Sequence, residues 1–352
     1  MAQLADYTTL GLGGPAKSFV SAASEAELIA AVRSADAAGE DVLLLGGGSN
    51  LVIADDGFPG TVIHVANRGL QYAAADESAP SARGRLVDVT VAAGEEWDDV
   101  VAATVAEGLA GLECLAGIPG RAGATPVQNV GAYGQEVSEV ITQVRVFDRT
   151  SRQLSILPNE QCHFAYRTSL FKGSRRYVVT EVTFRLYADP LSRPVRYAEL
   201  ASELGVAMGE RGGVSEVRSG VLKIRGRKGM VLDSADPDTR SAGSFFTNPV
   251  LDHEQFARVT AAAGAVRVPR FDAGDGLVKV PAAWLIEHAG FAKGYGAPGP
   301  ARVSSKHTLA LVNAGGATTA DLVALARRIV AGVRESFGVV LTPEPILVGV
   351  AL

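Results

Sequence analysis

Apolar positions along the chain recur at helical spacing in some stretches and alternate or run together in others. Ser24-Glu25-Ala26-Glu27 reads as a capping box, because a serine three residues before a glutamate lets each side chain satisfy an orphan amide. Behind it Leu28, Ile29 and Val32 share one face, which predicts a helix ending at Gly39. The same period predicts helices over 95–108, with Trp97, Val100, Val101 and Val105 apolar, and over 214–225, 280–289 and 321–337. Residues 42–45 are uniformly apolar, which predicts a strand buried on both faces. Further strands are predicted at 61–66, 86–92 and 308–313, a short strand and a turn over 51–57, and an antiparallel pair at 140–148 and 177–187. Residues 7–17 read as an irregular lead-in, and a boundary is predicted near 205–213. The chain shows no internal repeat, heptad run or low-complexity tail.

Two glycine-rich stretches interrupt this pattern. The longer, Leu115 to Glu136, carries two prolines and almost no charge. A connector this long is usually disordered or functional, and disorder needs more charge and fewer apolar residues. Glycine lets backbone amides approach a ligand and face inward as an anion cradle. Gln128 and Asn129 add amide groups suited to a heterocycle edge or a phosphate. The shorter stretch is Gly46-Gly47-Gly48-Ser49-Asn50, directly after a predicted strand. A dinucleotide fingerprint of the Rossmann type requires a helix next, whereas here a short strand and a turn follow. Each stretch is either a tightly packed, turn-rich loop or half of a cradle, and together they suit one long ligand.

Composition narrows the class. Of 352 residues, 47% are hydrophobic, and the formal net charge is −5. A large core is available, and no basic excess points to nucleic acid. No apolar run approaches about 18 residues, so no membrane span is expected, and the N-terminus lacks the pattern of a signal peptide. Cys114 and Cys162 are too few for a disulfide framework or a zinc site. These features predict a cytoplasmic, metal-free protein.

Chemistry-bearing side chains are scattered. His64, His163, His253, His288 and His307 have no metal-ligand spacing, and His288, on an apolar helix face, is expected to be a core residue. Arg167 is either a solvated loop cation or a clamp for carboxylate or phosphate. Glu344, between Pro343 and Pro345, is an ordinary turn residue or a rigidly held carboxylate. By themselves these residues support an α/β-type protein that binds a nucleotide or flavin, with no defined reaction.

Five segments then carry a resemblance: GGGSNLVIADDGFPGTVI from Gly46, GIPGRAGATPVQNVGAYGQE from Gly117, FAYRTSLFK from Phe164, SAGSFFTNP from Ser241 and TPEP from Thr342. In this order, over essentially the whole chain, they resemble the UDP-N-acetylenolpyruvoylglucosamine reductases, the MurB family of peptidoglycan precursor synthesis. The resemblance implies an α+β protein with a two-part FAD-binding domain of the vanillyl-alcohol-oxidase (VAO/PCMH) type and a C-terminal substrate-binding domain. It implies FAD-binding segments 1–66, completed by 338–352, and 67–210, followed by a substrate domain over 211–337. FAD is expected to be non-covalent, with Gly46, Gly47, Gly48, Ser49, Asn50 and Leu51 on its pyrophosphate. Ile118, Gly120, Gly123, Ala124, Gln128, Asn129 and Gly131 are expected along the rest of it.

The family reaction has two halves, in which NADPH reduces the flavin and the enolpyruvyl ether of a UDP sugar is then reduced and protonated. By motif match Ser244 is the proton donor, with Arg167 and Glu344 as catalytic companions. Tyr197 in PVRYAEL matches the substrate-loop tyrosine of the type I class, and Arg225, Lys228 and Asn248 match contacts to the UDP moiety. Lys293 and Tyr295 lie where the nucleotide is expected. A monomer is expected, with no nucleic-acid or membrane partner. Two alternatives remain at this point: another flavin oxidoreductase of the same fold acting on a small alcohol or sugar, and a regulatory nucleotide-binding module.

Overall fold

The first helix begins where its capping residues lie. In the computed structural model, which describes residues 1–75 and 84–352, Ser24 Oγ accepts the Glu27 amide at 3.2 Å and the Glu27 carboxylate accepts the Ala23 amide at 2.8 Å. The helix spans Glu25–Ala37. The other predicted helices form as Trp97–Ala106, Val214–Arg227, Ala282–His288 and Thr319–Phe337. Two more, Ala198–Leu204 and His253–Ala263, were not predicted. In the second of these Val259 alone is fully buried, so its apolar period is weak in the sequence. Helices and strands mix in an α+β architecture.

The chain forms two compact units. One contains Lys17–Gly47 and Pro59–Val231. Its larger sheet is antiparallel throughout, in the order Gln153–Pro158, Ile141–Asp148, Tyr177–Ala188, Leu86–Ala92, Leu70–Ala74. Val89, Val91, Val182 and Phe184 turn one face inward onto the Trp97–Ala106 helix. Trp97 is buried against Phe184, with ring centroids 5.5 Å apart, and its Nε1 donates to the Leu115 carbonyl at 3.1 Å. One side chain thus joins the sheet, the helix and the start of the long glycine-rich stretch.

The smaller sheet has the order Ala16–Ala22, Phe58–Val65, Val42–Leu45, the last two parallel. Here the expectation for 42–45 is corrected. Leu45 is buried, but Val42, Leu43 and Leu44 are only partly so, because the strand lies at the sheet edge and lacks a second neighbour.

The other unit contains Met1–Ala16, Gly48–Phe58 and Leu232–Leu352. Ile346–Val348 pairs in parallel with Leu51–Ile53, and Ala310–Asn313 pairs antiparallel with both Ala301–Val303 and Ser241–Ser244. The Thr319–Phe337 helix buries Leu322, Leu325, Ala326, Ile329 and Val333. Its first amides, of Thr319 and Ala320, donate to the Asp55 carboxylate at 2.7 and 2.9 Å, a favourable place for an anion. The irregular lead-in is interior here. Leu10 and Leu12 are buried, Thr9 N donates to the Gly48 carbonyl at 3.3 Å, and Thr9 Oγ1 donates to the Ser241 carbonyl at 2.6 Å.

One further expectation changes. His288 is exposed at the end of its helix, stacked on Trp284 with ring centroids 4.0 Å apart, so it is not a core histidine. The Val214–Arg227 helix lies in the unit that ends at Val231. The reason is packing: Arg218 pairs with Asp98 at 2.7 Å, and a Cβ on Gly220 would touch Leu204. Both contacts tie the Val214–Arg227 helix to the unit before it.

Trp97→Ala is expected to destabilise the protein by about 3–5 kcal/mol, the usual cost of truncating a fully buried tryptophan. Chemical denaturation followed by circular dichroism measures this, and a loss under about 1 kcal/mol would contradict the central place given to the side chain.

Candidate flavin-binding and active site

The two glycine-rich stretches meet backbone to backbone. A Cβ added to Gly47 would lie 2.8 Å from Gly120 Cα, and one added to Gly46 would lie 3.3 Å from Arg121 Cγ. The longer stretch is laced onto the turn ahead of the Trp97–Ala106 helix. Trp97 N donates to Gly120 O at 3.0 Å, Ala122 N to Glu95 O at 2.9 Å and Gly123 N to Ala93 O at 2.9 Å. A Cβ on Gly123 would fall 2.4 Å from Ala93 Cβ. Ile118, Gln128 and Gly131 are half-buried and Ala124 is exposed along the same run. Arg121 is anchored beside it by the Gly94 carbonyl at 3.1 Å and by Glu96 at 2.5 Å. Its Nε is buried and has no hydrogen-bond partner among the described residues. Bare backbone and an unsatisfied guanidinium N–H suit an anionic ligand.

Arg167 stands in the same unit, at the tip of a tight turn. Ala165 and Thr168 exchange backbone hydrogen bonds at 3.1 and 3.2 Å, and Arg167 has φ 53°. Its Nη2 donates to Gly131 O at 2.7 Å and its Nη1 to Asn129 O at 3.5 Å, with Glu136 3.9 Å away. Lys172 Nζ donates to the Arg167 carbonyl at 2.9 Å, and Ser169 Oγ donates to Val127 O at 2.7 Å. The whole YRTSLFK segment is therefore pinned to the 127–131 backbone.

Ser244 and Glu344 belong to the other unit. Ser244 ends its strand opposite Ala310, after a bulge at Gly243. The next residue supplies the link, since Phe245 O accepts the Glu344 amide at 2.9 Å and Phe246 bridges to Pro343. Asn50 completes this neighbourhood: Asn50 Nδ2 donates to Glu344 O at 3.4 Å, and Ile346 N donates to Asn50 O at 2.9 Å. Leu51 opens the strand paired with Ile346. In the same segment Gly48 has φ 59°, and a Cβ there would lie 1.9 Å from the Tyr7 carbonyl oxygen, so only glycine fits.

The residues expected at the UDP moiety divide likewise. Tyr197 precedes the Ala198–Leu204 helix, half exposed, its ring edge-on to Tyr133 at 5.3 Å. Arg225 is buried beside Tyr133, donates to Met230 O at 2.8 Å and has an unpartnered Nε among the described residues. Burial lowers the Arg225 pKa, and burial pushes the Tyr133 hydroxyl up to about 12, so Tyr133 is a neutral donor at physiological pH. Lys228 pairs with Glu199 at 2.5 Å. Asn248 lies in the other unit, where its Oδ1 accepts the Ala282 amide at 2.9 Å. Tyr133 was not singled out from the sequence, although its flanking glycines, Gly131 and Gly134, were a usable signal.

Comparison with known proteins decides the family. The FAD binding domain model matches residues 16–156, and that of the UDP-N-acetylenolpyruvoylglucosamine reductase C-terminal domain matches 236–348. A UDP-N-acetylenolpyruvoylglucosamine reductase of Thermobifida fusca is 57% identical, covering 99% of this chain and 97% of its own. One of Streptomyces coelicolor is also 57% identical, covering 100% and 90%. The chain belongs to the UDP-N-acetylenolpyruvoylglucosamine reductase family. The crystal structure of the family member from Thermus caldophilus aligns with a TM-score of 0.64 at 25% identity, covering 99% of this chain and 97% of that one.

As a member of the reductase family the protein is an FAD-dependent oxidoreductase. The site fits that cofactor. Gly47 presents backbone against Gly120, Gly46 lies against the Arg121 side chain, and the unsatisfied Nε of Arg121 adds a cation beside them. No described helix is long and apolar enough to cross a membrane.

Gly47→Val is expected to force the two glycine-rich stretches apart, because its branched Cβ has no room against Gly120. FAD affinity should fall at least about tenfold, or roughly 1.4 kcal/mol. Flavin fluorescence titration of the apoprotein measures it, and unchanged affinity would show that the close approach does not shape the cradle.

Proposed function

We propose that the protein catalyses NADPH-dependent reduction of UDP-N-acetylenolpyruvoylglucosamine to UDP-N-acetylmuramate, a step of peptidoglycan precursor synthesis. What carries this is the 57% identity to reductases of that name along 99% of the chain. A small-alcohol oxidoreductase of the same flavin fold is not favoured, because residues 236–348 match the reductase C-terminal domain. The UDP sugar and NADPH are cytoplasmic metabolites, which points to the cytoplasm as the place of reaction.

When bound, FAD would supply the redox chemistry, relaying hydride between NADPH and the enol ether. The rest falls to side chains. Hydride addition leaves negative charge on the neighbouring carbon and its carboxylate. Arg167 is assigned to that carboxylate, since a fixed cation stabilises charge as it develops without reorganising. Its guanidinium is held by two carbonyls, which suits the task. Ser244 is assigned as proton donor to the carbon. A hydroxyl is a weak acid, so its transfer relies on a strongly basic carbanion and close positioning. Glu344, fixed by its amide to the residue after Ser244, is assigned to orient the substrate beside that hydroxyl. Tyr197, Arg225, Lys228 and Asn248 are assigned to the UDP moiety.

The purified protein should be yellow and release its flavin on denaturation alone. In anaerobic stopped flow, Ser244→Ala should be reduced by NADPH within about twofold of the parent rate. Its reoxidation by the enol ether should slow by about 10²–10⁴-fold, the usual worth of a positioned proton donor. Equal loss in both half-reactions would remove Ser244 from the protonation step.

A further inference from the structure

We infer that Asn129 is a positioning residue that sets the direction of the Arg167 guanidinium, and that its carboxamide is not a flavin ligand. This rests on the proposed role of Arg167.

Asn129 is 1% exposed and its backbone is left-handed, with φ 48°. A carboxamide has two donor hydrogens, and both are used. Nδ2 donates to Glu136 Oε2 at 2.7 Å and to the Ala165 carbonyl at 3.2 Å. Oδ1 accepts the Ser138 amide at 3.1 Å. The reverse amide orientation would set oxygen against a carboxylate and a carbonyl, so the network allows only this one. No donor hydrogen remains for a heterocycle.

Both donor bonds bear on Arg167. The Ala165 carbonyl is the one that accepts Thr168 N and closes the turn with Arg167 at its tip. Arg167 holds φ 53° there, a conformation that costs a non-glycine residue energy unless its surroundings enforce it. Asn129 clamps the carbonyl at the base of that turn. At the other end of the arginine, the Asn129 backbone carbonyl and Gly131 O receive the guanidinium. Glu136 Oε2 is held by the Asn129 amide, and Glu136 Oε1 lies 3.9 Å from Arg167 Nη1. One residue therefore grips the turn by its side chain, the guanidinium by its backbone and the facing carboxylate by its amide.

Asn129→Asp keeps size, tolerance of positive φ and acceptance from Ser138. It replaces the donor by a second carboxylate facing Glu136 and the Ala165 carbonyl. Asn129→Gly removes the side chain at a φ that glycine adopts freely. The measurements are FAD affinity of the apoprotein and the two half-reactions of the flavin-loaded enzyme. For both variants, reoxidation by the enol ether should slow by about 10–100-fold, as when the partners that orient a functional group are lost. FAD affinity and reduction by NADPH should stay within about threefold. Combined with Arg167→Lys, the losses should be less than multiplicative. Weakened FAD binding with normal reoxidation would make Asn129 a flavin ligand and overturn the inference, as would equal loss in both half-reactions or fully multiplicative losses. Reduced parent enzyme that the enol ether fails to reoxidise would instead refute the assigned reaction.

Discussion

The contact of Gly47 with Gly120 is the constraint on which the candidate flavin site depends. Two segments far apart in sequence approach until no side-chain atom fits between them. Such an approach costs conformational freedom, since glycine is the residue that loses most of it on folding. The surroundings offset that cost by lacing the longer segment into the turn before the Trp97–Ala106 helix, with three backbone hydrogen bonds of 2.9–3.0 Å. Buried Trp97 fixes the start of that helix and of the glycine-rich run together. The hydrophobic core thus holds this stretch of main chain still.

Left-handed backbone at non-glycine residues is concentrated near Arg167. Asn129, Tyr133, His163 and Arg167 all have φ between 48° and 51°, or slightly above at 53°. Each such residue stores strain of order 1–3 kcal/mol, less for asparagine. These conformations persist because hydrogen bonds over-determine them: Asn129 is held by three, and the Arg167 turn by an exchanged pair. Rigidity of this kind suits a cation that must meet charge as it forms rather than move to find it.

Much of this was legible in the sequence, and the remainder has a physical reason for having been hidden. Helix starts at Ser24, strand alternation at 86–92 and the glycine spacing all act locally, so pattern alone locates them. The family was legible because five motifs stand in order. Asn129 shows the limit: an asparagine in a glycine-rich stretch reads equally as ligand or brace, and only its partners Glu136, Ser138 and Ala165 separate the two. Val42–Leu44 failed for a similar reason, since an apolar run does not reveal whether its strand has one neighbour or two. His288 sits on an apolar helix, yet its place at the last turn carries it out to solvent. The pairing of the Val214–Arg227 helix with Asp98 was hidden because the two are remote in sequence.

The first dozen residues carry an obligation that their ragged appearance conceals. Thr9 fastens the Gly48 carbonyl by its amide and the Ser241 carbonyl by its hydroxyl, so it splints the turn at Gly48 to the strand that ends in the assigned proton donor. Trimming this leader for convenience would remove an internal brace rather than a loose tail.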